Sequence, residues 1–161
     1  MSRRIYVADV AAYNAGNLRG IWLDVDGVAE DDLAAQIQDF VGDGDWRIDD
    51  LDGDWCKIKP ADLADVILHS EMLDKHAEAW GAYVDSVGMH YATEDDFDDR
   101  YSGAWDSAED YAQNLVEDIG DFKSMGNLAN YIDWERFARD LGYDGYSFVG
   151  GEDGKVHVFH P

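Results

Sequence analysis

Residues 24–54 limit what this chain can fold into more than any other stretch. They hold twelve carboxylates, at positions 24, 26, 30, 31, 32, 39, 43, 45, 49, 50, 52 and 54, against one base, Arg47. A solvated acidic tail has no use for apolar anchors. Here Leu33, Ile37, Phe40, Val41, Trp46, Ile48 and Trp55 are threaded through and beside the acids. That pattern calls for an ordered element with an apolar inner face and a charged outer one. The imbalance runs through the whole chain: 36 Asp+Glu against 12 Lys+Arg give a net charge of −24 over 161 residues. With 46% hydrophobic and 13% aromatic residues the chain can bury a core. Self-repulsion on this scale costs stability, so the charge answers to a partner or an environment. It argues against direct binding of DNA, RNA or an anionic membrane, and for a basic partner, cations or high salt.

Taken in order, residues 4–10 and 20–25 read as strands, with turn chemistry at 13–17. Glu30, Asp31 and Asp32 favour a helix N-terminus ahead of Leu33, Ile37, Phe40 and Val41, and Gly42 and Gly44 end that helix. Trp46 and Ile48 alternate inward on a third strand. Pro60 suits the first turn of a helix, and two consecutive helices fit 61–87, with Ser70 capping the second. Thr93 opens a short helix through Phe97 to Tyr101 that Gly103 breaks, and Ser107 opens another that Gly120 ends. In the latter, Ala108, Tyr111, Ala112, Leu115 and Ile119 make an apolar stripe. Asp106, Asp110, Glu117 and Asp121 fall on the far side, flanked by Glu109 and Asp118. Asp133 caps a helix reaching Gly142, and residues 146–159 read as a hairpin. The expected class is α+β in three small domains: 1–58 (β-β-α-β), 59–98 (helical) and 99–161 (α+β).

Dedicated chemistry is hard to find. An EF-hand loop starting at Asp50 would place Asp50, Asp52 and Asp54 correctly, then fail with Trp55 at the glycine position and Ala61 at the glutamate position. Starting at Asp43, Arg47 spoils the fifth position. Histidines 69, 76, 90, 157 and 160 make neither an HExxH pattern nor a zinc spacing. Cys56 lies between Trp55 and Lys57 and reads as a half-buried thiol. No P-loop, dinucleotide fingerprint or Gly-x-Ser-x-Gly occurs. The expectation is no catalytic residue, no metal and no cofactor. A single cysteine fits a reducing compartment, the N-terminal apolar run is too short for a signal peptide, and no run approaches the ~18 apolar residues of a membrane span. A cytoplasmic, soluble protein is expected.

Two explanations of the charge then compete. Salt adaptation fits 28 Asp against 5 Lys. Imitation of a polyanion also fits: duplex DNA carries about two charges per base pair, so −24 corresponds to about 12 base pairs per chain. Distribution separates the two. Acids concentrate in 24–54 and again in 94–121, where eleven acids meet Arg100, whereas 122–161 hold six acids and four bases. Such patchiness favours a binding face.

The motif residues add a resemblance. Ile5-Tyr6-Val7-Ala8, Tyr13-Asn14-x-Gly16, Gly20-x-Trp22-Leu23-Asp24, Trp46-x-Ile48-x-Asp50, Phe97-x-Asp99-x-Tyr101-x-Gly103, Tyr131-Ile132-Asp133 and Val156-x-Val158-Phe159 occur in one order along almost the whole chain. In these the chain resembles the ArdA-type antirestriction proteins. The resemblance implies an elongated dimer of three small domains, coated with carboxylates that imitate bent B-DNA and block the DNA site of type I restriction–modification enzymes. The acids standing in for phosphates would be Asp24, Asp26, Glu30, Asp31, Asp32, Asp43, Asp45, Asp49, Asp50, Asp52 and Asp54. Glu94, Asp95, Asp96, Asp98, Asp99, Asp106, Glu109, Asp110, Glu117, Asp118 and Asp121 would continue the set. The family's acidic antirestriction motif has its nearest counterpart in residues 108–119. The alternative is an acidic salt-adapted or Ca²⁺/Mg²⁺-binding interaction module without mimicry.

Overall fold

The computed structural model describes residues 2–120 and 122–161. Two compact units divide the chain, Met1–Ala77 and Glu78–Pro161. Each sets helices on a three-stranded antiparallel sheet, so the mixed α+β class is observed.

The first unit runs β1 (Arg4–Asp9), α1 (Val10–Asn14), β2 (Gly20–Asp24), α2 (Glu30–Val41), β3 (Trp46–Asp52) and α3 (Leu63–His76), with sheet order β2-β1-β3. Alternation on the central strand puts Ile5 and Val7 inward at 0% exposure. Leu33 and Ile37, four apart on α2, are buried with them, as are Leu23, Val25 and Val66. The turn expected at 13–17 is in part a short helix, because the carboxylate of Asp9 accepts from Ala12 N at 3.0 Å and caps it.

Register explains the acid doublet on β3. Tyr6 lies opposite Asp50 and Val7 opposite Ile48, so Asp49 is the extra residue of a bulge. Trp46 and Ile48 turn inward, Asp49 and Asp50 are both exposed, and the inward phase resumes at Leu51. Two helix signals need correction. Pro60 precedes α3 by three positions, and Asp62 caps it by accepting from Asp65 N at 2.8 Å. Ser70 does not cap a second helix: it is buried inside α3, and the break comes at Ala77, whose φ of 48° is left-handed. A serine with a buried polar partner has no need of a helix end.

The second unit runs α4 (Glu78–Val87), a 3₁₀ turn (Met89–Tyr91), α5 (Glu94–Arg100), β4 (Tyr101–Trp105), α6 (Ala108–Ile119), a kinked 3₁₀ segment (Phe122–Tyr131), α7 (Trp134–Tyr143), β5 (Ser147–Gly150) and β6 (Val156–Phe159). Thr93, Ser107 and Asp133 cap α5, α6 and α7 as expected, and β5 and β6 form the expected hairpin. β4 is the surprise. Gly103 ends no helix but sits within this strand at φ 97°, where the register against β6 shifts between Tyr101 and Ala104.

Trp80, Tyr83, Phe97 and Phe159 are fully buried and packed ring to ring at 5.2–6.0 Å. A second cluster joins Tyr111 and Ala112 of α6 to Ala138 and Leu141 of α7 and Val158 of β6. The apolar stripe of α6 ends at Leu115, since Ile119 is 76% exposed where the helix outruns this cluster. Among the described residues no helix is long and apolar enough to cross a membrane.

Candidate partner-binding surface

None of the described acids named above is buried. Asp121 lies outside the described residues. Two groups separate by what holds them. Asp26, Asp49, Asp52, Asp96 and Asp106 each pair with a base of their own unit: Arg3, Arg47, Arg4, Arg100 and Lys155 respectively. Arg4 holds the carboxyl of Asp52 below the usual carboxylate range, and Lys155 does the same for Asp106. Asp31, Asp32, Asp43, Asp45, Asp95, Asp98, Asp99, Asp110, Glu117 and Asp118 carry no ion pair among the described residues and have nothing to neutralise them but solvent.

Helix physics accounts for some of these. Glu30–Asp32, Glu94–Asp96, Glu109 and Asp110 occupy first turns, where negative charge stabilises the N-terminus. It does not account for Glu117 and Asp118, which end α6 with no base in that last turn. Nor does it account for Asp98 and Asp99 near the end of α5. Acids at a helix C-terminus oppose the macrodipole by a few tenths of a kcal/mol to ~1 kcal/mol each. Folding gains nothing from them.

The arginines of the first unit do the opposite and are tied to the fold. Arg3 is 8% exposed; its Nη1 donates to Asp26 at 3.0 Å and Asp74 at 2.7 Å, and its Nε to the Asp54 carbonyl at 2.7 Å. Arg4 lies over the Trp22 ring, Arg19 over Phe40 and Arg47 over Tyr13, with guanidinium carbons 5.3, 4.4 and 4.6 Å from the ring centres. Each of these three also pairs with an aspartate: Asp52, Asp9 and Asp49. The arginines of the first unit are therefore occupied at home. In the second unit Arg100 is tied to Asp96 and to the His160 carbonyl, whereas Arg136 and Arg139 stand exposed on α7, in a stretch near charge balance.

Two of the five histidines, His69 and His157, are buried. His69 is fully buried, and burial pushes its imidazole below the ordinary value. His157, 3% exposed, is held between Tyr101 Oη at 3.0 Å and Asp153 Oδ2 at 3.1 Å. Cys56 is half-buried, its thiol donating to Asp54 Oδ1 at 3.3 Å.

Sequence reasoning missed Arg3, which reads as one of two N-terminal charges yet joins three segments. It also missed the pairing of Tyr6 with Trp22, whose ring centres are 5.2 Å apart across β1 and β2. Outward alternation on the two strands was the available signal.

An α+β protein that projects carboxylates while pairing five of its seven arginines with its own acids leaves an excess of negative charge facing solvent. The family comparison is specific: the chain belongs to the ArdA antirestriction protein family, whose sequence model matches residues 5–154. No curated protein matches the chain significantly. Membership brings an antirestriction role, which is that of an inhibitor family and not of a catalyst.

Proposed function

We propose that the chain blocks a type I restriction–modification enzyme by occupying its DNA-binding groove in place of DNA. Its exposed carboxylates stand where phosphates would, and binding releases the counterions that DNA would release. The observation that supports this best is the asymmetry of charge handling: Arg3, Arg4, Arg19 and Arg47 are internally paired, while Asp31 and Asp32 of α2, Asp95, Asp98 and Asp99 of α5, and Asp110, Glu117 and Asp118 of α6 are exposed. The acids concerned are those of residues 24–54 and 94–121 named above, and no residue is catalytic. Three modules at 1–58, 59–98 and 99–161, an elongated homodimer and a cytoplasmic setting belong to the same reading. Helical acids at i, i+4 stand ~6 Å apart at Cβ, a spacing suited to a row of negative points. The test is competition: protein is titrated into a type I enzyme bound to labelled DNA at low salt, and displacement is expected. Bound DNA that persists against well-folded protein overturns the proposal for that enzyme.

A further inference from the structure

The outer face of the first sheet has a use that charge alone does not describe. Strand register lays out its rows: Asp24, Arg4 and Asp52 in one, then Trp22, Tyr6 and Asp50 in the next. Side-chain contacts show that these residues share a face. Arg4 pairs with Asp52 and lies over Trp22, and the Tyr6 ring packs on Trp22 at 5.2 Å. Gly20 makes this possible, because a Cβ there would fall 2.3 Å from the Tyr6 ring, so Tyr6 lies flat across the sheet and against Trp22. The face is open: Trp22 is 41% exposed, and the side chains of Arg4 and Asp52 are 42% and 46% exposed. Asp24 and Asp50 border the ring pair; both are exposed, and Asp24 lies in the field of Arg4 without a close ion pair.

We infer that this face is an anchor for an arginine side chain of a basic partner protein, seated on the exposed part of Trp22 beside Asp24, in the row that Asp50 closes on the other side of Tyr6. The proposal rests on the partner-binding role proposed above and names a packed contact within it. Its chemistry is shown three times inside the same unit. Arg4, Arg19 and Arg47 each lie over an aromatic ring while pairing with an aspartate. A ring bordered by a carboxylate is therefore a guanidinium seat in this fold: Arg4 covers part of Trp22, and the part of the ring left exposed offers the same pairing to solvent, with Asp24 beside it and Asp50 across Tyr6. Trp and Tyr are the residues in which interface energy concentrates when a ring is packed and desolvated. Arginine fits better than lysine, because the planar guanidinium stacks on a ring and forks onto a carboxylate together.

The probe is a deca-arginine peptide, with deca-lysine as its isocharge partner, titrated into the full chain and followed by the indole N–H resonance of Trp22. That resonance is assigned by its loss in Trp22→Phe. The Trp22 signal is expected to shift on saturation, with at least about threefold tighter binding of deca-arginine than deca-lysine. Asp24→Asn with Asp50→Asn should weaken that site at least about threefold more than Asp140→Asn with Asp144→Asn, which removes the same charge elsewhere. A Trp22 resonance that stays still, or two peptides and two double variants that behave alike, overturns the inference. Because no restriction enzyme is present, that failure is distinct from a failure to displace DNA.

Discussion

Replacing Arg3 by alanine should open the first unit. Three segments meet on this side chain: the loop after β2 through Asp26, the loop after β3 through the Asp54 carbonyl, and α3 through Asp74 and Ser70. The backbone N–H of Arg3 also donates to Asp26 Oδ2 at 2.8 Å, and Ser70 Oγ donates to Asp26 Oδ1 at 3.2 Å. Truncating one partner of a buried pair costs about 3–5 kcal/mol, because the other charge is stranded. The Arg3 side chain is 9% exposed and Asp26 29%, but Asp74 is 58% exposed and recovers water, which reduces the expected loss to about 2–4 kcal/mol. Native-state hydrogen exchange reads this as a fall in protection of about 30- to 900-fold at the slowest amides of β1 and α3. Arg3→Lys keeps a charge near Asp26 and Asp74 but gives up the Nε bond to Asp54, and should lose about half as much on that scale. A fall of less than tenfold in Arg3→Ala would refute the view that this arginine joins the unit.

Other consequences are open to measurement. Asp9 accepts from Ala12 N and pairs with Arg19, which together hold its carboxyl below the usual range. Stability from a carboxyl depressed on folding is complete above the unfolded value of about 3.9 and lost as pH falls through the lower folded one. The Tm deficit of Asp9→Asn should therefore be largest near neutrality and shrink as pH falls below the ordinary carboxylate range; a deficit that stays constant through acid contradicts the assignment. His69 is favoured neutral, so its contribution is full above the ordinary value of about 6.5 and lost as pH falls toward the lower folded value. Its imidazole should accordingly titrate later than free histidine in an NMR pH series. Ser107→Ala removes the acceptor for Asp110 N and should cost about 0.5–2 kcal/mol by denaturant titration. Gly20→Ala must displace the Tyr6 ring and should cost about 1–3 kcal/mol by the same assay; an unchanged midpoint would show that the ring moves freely.

Local chemistry made much of this fold legible. Acids before an apolar i, i+4 set marked α2, and short polar caps marked α5, α6 and α7, since capping is decided within four residues. Non-local pairing was less visible. β4 reads as Tyr-Ser-Gly-Ala-Trp, five residues with a central glycine, and finds its strand partner only at residues 156–159, more than fifty positions on. The bulge at Asp49 depends on register against β1, which no property of β3 alone reveals. At the candidate surface, acid positions were plain from the sequence, but which acids are neutralised was not. That depends on where the arginines fold to, and Arg3 reaches Asp74 across 71 positions.

The central claim is that a distributed carboxylate surface replaces DNA. Displacement of labelled DNA from a type I enzyme, measured with the wild-type chain and with single Asp→Asn variants at 31, 43, 95, 98 and 118, tests it most directly. The account predicts displacement that weakens steeply with salt and changes little with any one neutralisation. No displacement at low salt, or abolition by a single neutralised aspartate, would contradict it.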